Sequence, residues 1–125
     1  ASKEDWRRAA RKCREAIALR PNVPEAYMNL AGVLFTSGHQ VEAAQRYLET
    51  KERYLVGSEH WAAATAAAFD ALKLKGCDGT AKPEWWTDEG LKALSARVVR
   101  AAPNFEPAVD MRAMVLSGVH GGAWE

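Results

Sequence analysis

The chain has 125 residues, 48% of them hydrophobic and 26% charged, with a net charge of +1. That is one domain's worth of ordinary globular sequence, long enough for a core, and a charge this close to zero gives neither nucleic acid nor an anionic membrane a general hold on it. No apolar run reaches the length of a bilayer span, the first twenty residues are too charged for a signal peptide, and two cysteines make neither a disulfide framework nor a metal site. The expected setting is intracellular, reducing and cytoplasmic, with Cys13 in a core and Cys77 in a loop.

The charge is uneven: residues 1–20 carry +4 and the remainder −3. Ala1-Ser2 has the look of a cloning remnant. From Lys3 to about residue 20, Trp6, Ala9, Ala10, Cys13, Ala16 and Ile17 share one helical face, and Arg7, Arg8, Arg11, Lys12 and Arg14 cover the other. Glu4 and Asp5 suit a helix N-terminus. Because Glu4, Asp5 and Glu15 interrupt the positive field, a solvated outer helix is expected in preference to a nucleic-acid helix. Pro21 ends it.

Two further amphipathic segments, about 24–37 and 40–56, flank Ser37-Gly38, where one helix should stop and another begin. Pro24 is acceptable at a first helical turn. Gly32, inside a helix, costs roughly 1 kcal/mol relative to alanine, so a close helix approach or a ligand passing over it is expected. Tyr27, Leu30, Ala31, Leu34, Gly38, Ala43, Tyr47 and Thr50 follow in an order of aromatic, large, small, apolar, turn glycine, small, aromatic, small.

That order resembles the 34-residue tetratricopeptide repeat, with Thr50 in a place where alanine is usual. Trp61 stands thirty-four residues after Tyr27, in the register of a following repeat. Pro21-Asn22-Val23-Pro24-Glu25-Ala26-Tyr27 lines up without a gap on Pro103-Asn104-Phe105-Glu106-Pro107-Ala108-Val109, an offset of 82 that is two periods plus about 14 inserted residues. The resemblance implies an all-α solenoid of about six helices in a single domain, 1–125. Its parts are a lone second helix (3–20), a regular repeat (24–57), a repeat enlarged by an inserted loop at about 76–88 (58–102), a lone first helix (105–118) and a tail (119–125). This is how a piece of a longer array would look.

Within the enlarged repeat, Ser58 is placed to cap an alanine-rich helix to about Lys75, anchored by Trp61, Leu72 and Leu74. So thin a helix either approaches its neighbours closely or leaves a hollow beside them. Residues 76–83 are dense in breakers. Adjacent Trp85 and Trp86 cannot both point into a helical core, so one should anchor the loop and the other offer a secondary partner contact. Thr87 is a candidate N-cap for a helix using Leu91, Leu94, Val98 and Val99, in which Gly90 weakens the first turn and Ser95 replaces an expected large apolar residue. A last helix, 106–117, has Val109, Met111, Ala113, Met114 and Leu116 as its apolar set.

No catalytic constellation is visible, no metal spacing joins His39, His60 and His120 to each other or to a cysteine, and Cys77-Asp78-Gly79 lacks the later ligands of a calcium loop. A non-catalytic module with no cofactor, no metal and no small-molecule substrate is expected. Tetratricopeptide proteins hold partners in a concave groove lined by the first helix of each repeat. The resemblance therefore implies a groove of Met28, Asn29, Gly32 and Phe35, then Ala62, Ala63, Ala66 and Phe69, then Asp110, Met111 and Met114, fitted to a peptide or helix with apolar anchors. The chaperone-tail clamp of some relatives is not expected, because only Asn29 matches it and Glu59 and Ala63 stand where it needs Lys and Arg. Two alternatives are an oligomer built by the end helices and, disfavoured by the charge, helical-repeat RNA binding.

Overall fold

The computed structural model describes residues 2–118. Six α-helices follow one another: α1 (Lys3–Leu19), α2 (Pro24–Thr36), α3 (Gln40–Lys51), α4 (Glu59–Leu72), α5 (Asp88–Ala101) and α6 (Glu106–Ser117), with a single 3-10 turn at Lys75–Cys77. Among the described residues there is no strand. The tail, with His120 and Trp124, lies outside them.

Local chemistry starts and stops these helices. Ser2 is no bystander: its Oγ accepts from the Asp5 N–H and the Asp5 carboxylate accepts from the Ser2 N–H, both at 3.2 Å, a reciprocal capping box. Ser58 and Thr87 cap α4 and α5 as expected, accepting from the N–H groups of Trp61 and Gly90 at 3.1 and 3.0 Å. Gly38 adopts φ 92°, and the N–H groups of Gly38 and His39 return to the carbonyls of Phe35 and Leu34 at 3.2 and 2.8 Å. A left-handed residue there satisfies the last carbonyls of α2 and reverses the chain.

Helix α3 ends at Lys51, five residues short of the expected end, and the chain then turns through 52–57 with Gly57 at φ 89°. Leu55 and Val56 are left exposed there. Helix α4 likewise stops at Leu72, because the tight turn at Lys75–Cys77 packs back onto α3.

Consecutive helices α1 to α4 pack pairwise, and α5 and α6 pack on each other and on α4. Helix α4 is the axis. Trp61, Ala62, Ala64, Thr65, Ala66, Ala68, Phe69, Ala71 and Leu72 are all buried, so it is covered nearly all round, as a helix apolar on every side must be. Its alanines therefore serve close approach and leave no hollow. One apolar cluster joins α1, α2, α3 and the Ala68–Leu72 side of α4; the second joins the Trp61–Phe69 side to Leu91, Leu94, Val98, Met111 and Val115.

Trp85 and Trp86 pack against both clusters. They lie in a turn rather than a helix, which removes the 100° separation that would send one ring outward. Their rings are 5.8 Å apart, Trp86 lies 5.4 Å from Phe69, and the Lys51 ammonium stands 5.7 Å over Trp85. Both are half-buried wedges, so both rings anchor the loop, and Trp85 also lines cavities at the surface. Gly90 makes the wedge possible: a Cβ there would collide with the Trp85 carbonyl. Far from weakening the helix start, it lets the tryptophan turn fold over it.

The inserted loop has its own ties. The Lys82 ammonium donates to the carbonyls of Cys77 and Thr80, at 2.5 and 3.2 Å, and the Thr80 hydroxyl donates to Cys77 at 2.7 Å. These hold Cys77 fully buried, whereas Cys13 is only half-buried. The expected roles of the two thiols are thus exchanged, and burial pushes both thiols up from their ordinary range.

Candidate partner-binding surface

The residues proposed for a groove divide into two sets. On α2, Met28, Gly32 and Phe35 are half-buried and Asn29 is exposed. On α4, Ala62, Ala66 and Phe69 have no exposure at all, and Met111 of α6 has 1%. These four are core, covered because α5 and α6 both close on α4. Ala63 and Met114 stay half-buried and Asp110 is exposed. A partner could reach the α2 set together with Ala63, Asp110 and Met114, and could not reach the α4 floor.

Helix α6 is also turned from its expected register. Its buried residues are Ala108, Met111 and Val115, whereas Val109 and Leu116 are 45% and 58% exposed. The reason is Arg112, which aligns with Leu30 of α2. Its guanidinium Nη1 donates to the Lys92 carbonyl at 2.9 Å and to the Ser95 hydroxyl at 3.1 Å. Ser95 is fully buried, so the serine in place of a large residue is the counterpart of the arginine in place of leucine. A buried hydroxyl needs such a partner.

Gly32 is not compelled by packing. A Cβ there would meet only the Tyr47 hydroxyl, at 3.8 Å, which is ordinary contact. Tyr47 is 8% exposed and its ring lies edge-on to Phe35 at 6.5 Å. Its hydroxyl makes no hydrogen bond to another described residue, an unusual state for a buried phenol. Burial, and secondarily the charge of Asp70, raise the phenol above its usual range.

Asp70 on α4 and Lys73 at its C-cap complete this face, one and four positions beyond Phe69. The Lys73 ammonium is 3.3 Å from the Asp70 carboxylate and 2.9 Å from the Met114 sulfur, and lies 5.6 Å over the Phe69 ring. Burial raises the Asp70 carboxyl, Lys73 opposes that, and the like charge of Asp110 adds to it. Tyr47, Asp70 and Lys73 did not emerge from the sequence as site residues. The i, i+3 spacing of Asp70 and Lys73 was a usable signal; a core tyrosine on α3 with an unpaired hydroxyl gave none.

Among the described residues no three His, Cys, Asp or Glu side chains gather as metal ligands would, and no helix is long and apolar enough to cross a membrane. Compared with protein-family models, with curated proteins and with solved structures, the chain matches none.

Proposed function

We propose that this chain is a non-catalytic interaction module of tetratricopeptide-like helix hairpins, and that it takes a partner peptide or helix along the face shared by α2, α4 and α6. One observation carries the reading. The core positions of the repeat pattern, Tyr27, Leu30, Ala31, Leu34, Ala43, Tyr47 and Thr50, are all at most 8% exposed and meet between α2 and α3. Thr50, the divergent position, turns its hydroxyl to the Arg46 carbonyl at 2.6 Å and so costs the core no unpaired group. Support for the face comes from its chemistry: Met28, Phe35 and Met114 offer apolar anchors, Asp110 is exposed, and the Tyr47 hydroxyl has a hydrogen bond still to make.

The test is affinity capture with wild type beside Met28→Glu/Phe35→Glu, with helicity checked by circular dichroism. Partners lost only from the variant support the face. Identical partner sets would sink it. Phe69, being core, is unsuitable for this purpose.

Self-association is the second reading, and it has an observation of its own. Val109 and Leu116 on α6 and Phe105 at its N-cap are 45%, 58% and 39% exposed. Of their aligned counterparts on α2, Tyr27 and Leu34 are buried and Val23 half-buried. Mass that rises with concentration, and stops rising in Val109→Asp/Leu116→Asp, would favour it over a monomeric receptor.

A further inference from the structure

The positive first helix has a use that the partner face does not absorb. Lys3, Arg7, Ala10 and Arg14 follow each other at spacings of three or four along one stripe of α1, and Trp6, three residues after Lys3 and four before Ala10, borders it. That stripe forms one wall of a cavity of about 440 Å³, inside the roughly 300–1,000 Å³ range of small-molecule sites. The opposite wall is the end of α2 and the start of α3, with Leu34, Ser37, His39 and Glu42.

The charges in this cavity are unequal. Glu42 is engaged by Arg14 at 3.6 Å. Lys3 and Arg7 form no ion pair among the described residues, so two cations face the space uncompensated. Between them Trp6 presents a half-buried indole whose N–H donates to no other described residue, with Ala10 and Leu34 extending the apolar floor. At the far side the Ser37 hydroxyl donates to the Leu34 carbonyl at 3.2 Å and lies 3.0 Å from His39 Nδ1. The contact ties the exposed imidazole ring to the rim of the cavity.

We infer that the cavity beside Trp6 binds a ring-bearing organic anion, an aromatic phosphate or carboxylate, with its ring on the indole and its charge between Lys3 and Arg7. A ring gains from stacking on tryptophan, the guanidinium and ammonium supply charge-assisted hydrogen bonds to the anion, and neither contact alone would fill the volume. This site lies on a different face from the α2–α4–α6 surface, and its occupancy does not depend on that surface having a partner.

Phenyl phosphate is the probe, titrated into the full chain by calorimetry, with benzoate and inorganic phosphate as comparison arms. The expected result is saturable one-to-one binding that weakens at least about tenfold in Lys3→Glu/Arg7→Glu and again in Trp6→Ala, and that weakens with added salt. Inorganic phosphate should bind at least about tenfold more weakly than phenyl phosphate, since it lacks the ring. Benzoate binding as well as phenyl phosphate identifies a carboxylate site, and benzoate binding more weakly identifies a phosphate site; both support the proposal. No saturation with either ring anion at millimolar concentration overturns it, as does equal binding of ring-bearing and inorganic phosphate, or affinity unchanged in Lys3→Glu/Arg7→Glu. Because those two side chains are exposed, that variant keeps the fold and the test stands even if Trp6→Ala loosens α1.

Discussion

Helices α2 and α6 share an opening sequence 82 residues apart, yet they bury different faces. In α2 the buried set centres on Tyr27, Leu30, Ala31 and Leu34; in α6 it is Ala108, Met111 and Val115, one residue back and so about 100° round the helix axis. The two helices have the same phase at their N-termini, since Pro24 and Glu106, aligned at that offset, are each the first helical residue. What separates them is the neighbour. Helix α2 meets the small and aromatic face of α3, whereas α6 meets α4 and, through Arg112, the Lys92 carbonyl and Ser95 of α5. The shared opening sequence specifies a helix and its start; the partner surface selects which stripe is buried.

The largest effect should come where the two regions join. Phe69 has no exposure and touches Trp86, so Phe69→Ala should cost about 3–5 kcal/mol in urea unfolding and loosen both halves together. Gly90→Ala drives a methyl group into the Trp85 carbonyl. Overpacking of that kind costs about 1–3 kcal/mol, and the fluorescence of the tryptophan wedge should shift with it. An unchanged emission spectrum would argue against the wedge.

Arg112→Leu gives α6 the residue type that α2 has at the aligned position, Leu30. It should still destabilise, by about 1–2 kcal/mol, because it leaves the Ser95 hydroxyl with only its longer bond to Lys92 at 3.3 Å. A double-mutant cycle with Ser95→Ala should show coupling between the two positions; strict additivity would break the comparison.

Asp70 tests the exposed edge of the join through pH. Its carboxyl is raised, mainly by burial, so just above the ordinary carboxylate value the folded chain holds a proton that the unfolded chain has released. Stability must therefore fall as pH rises through that window, and Asp70→Asn should flatten the fall in urea titrations run across it. Smallest, and opposite in sign, is Gly32→Ala. With free space up to the Tyr47 hydroxyl, it should stabilise α2 by up to about 1 kcal/mol, and a loss of stability would mean that the helix needs the glycine.

Much of this architecture was readable in advance because it rests on short-range chemistry. Ser58 and Thr87 as caps, Gly38 as the turn, Trp61 as an anchor and the α2–α3 core all follow from spacing and residue type. The site was less legible. Ala62, Ala66, Phe69 and Met111 carry the right register for a groove, yet register fixes only the side of a helix a residue occupies. It does not say whether another helix closes over that side. Tyr47 read as core, and its burial gave no hint that its hydroxyl would lack a partner.

Six helices, their caps and one complete hairpin were inherent in the chain, since each depends on residues within a few positions of one another. The rotation of α6, the wedge of Trp85 and Trp86, the burial of Cys77 and the gathering of Lys3, Trp6 and Arg7 opposite His39 were settled only by tertiary contact. Each needs surfaces from distant segments to meet, and the free energy of burying apolar area and satisfying polar groups belongs to those joined surfaces rather than to either segment alone.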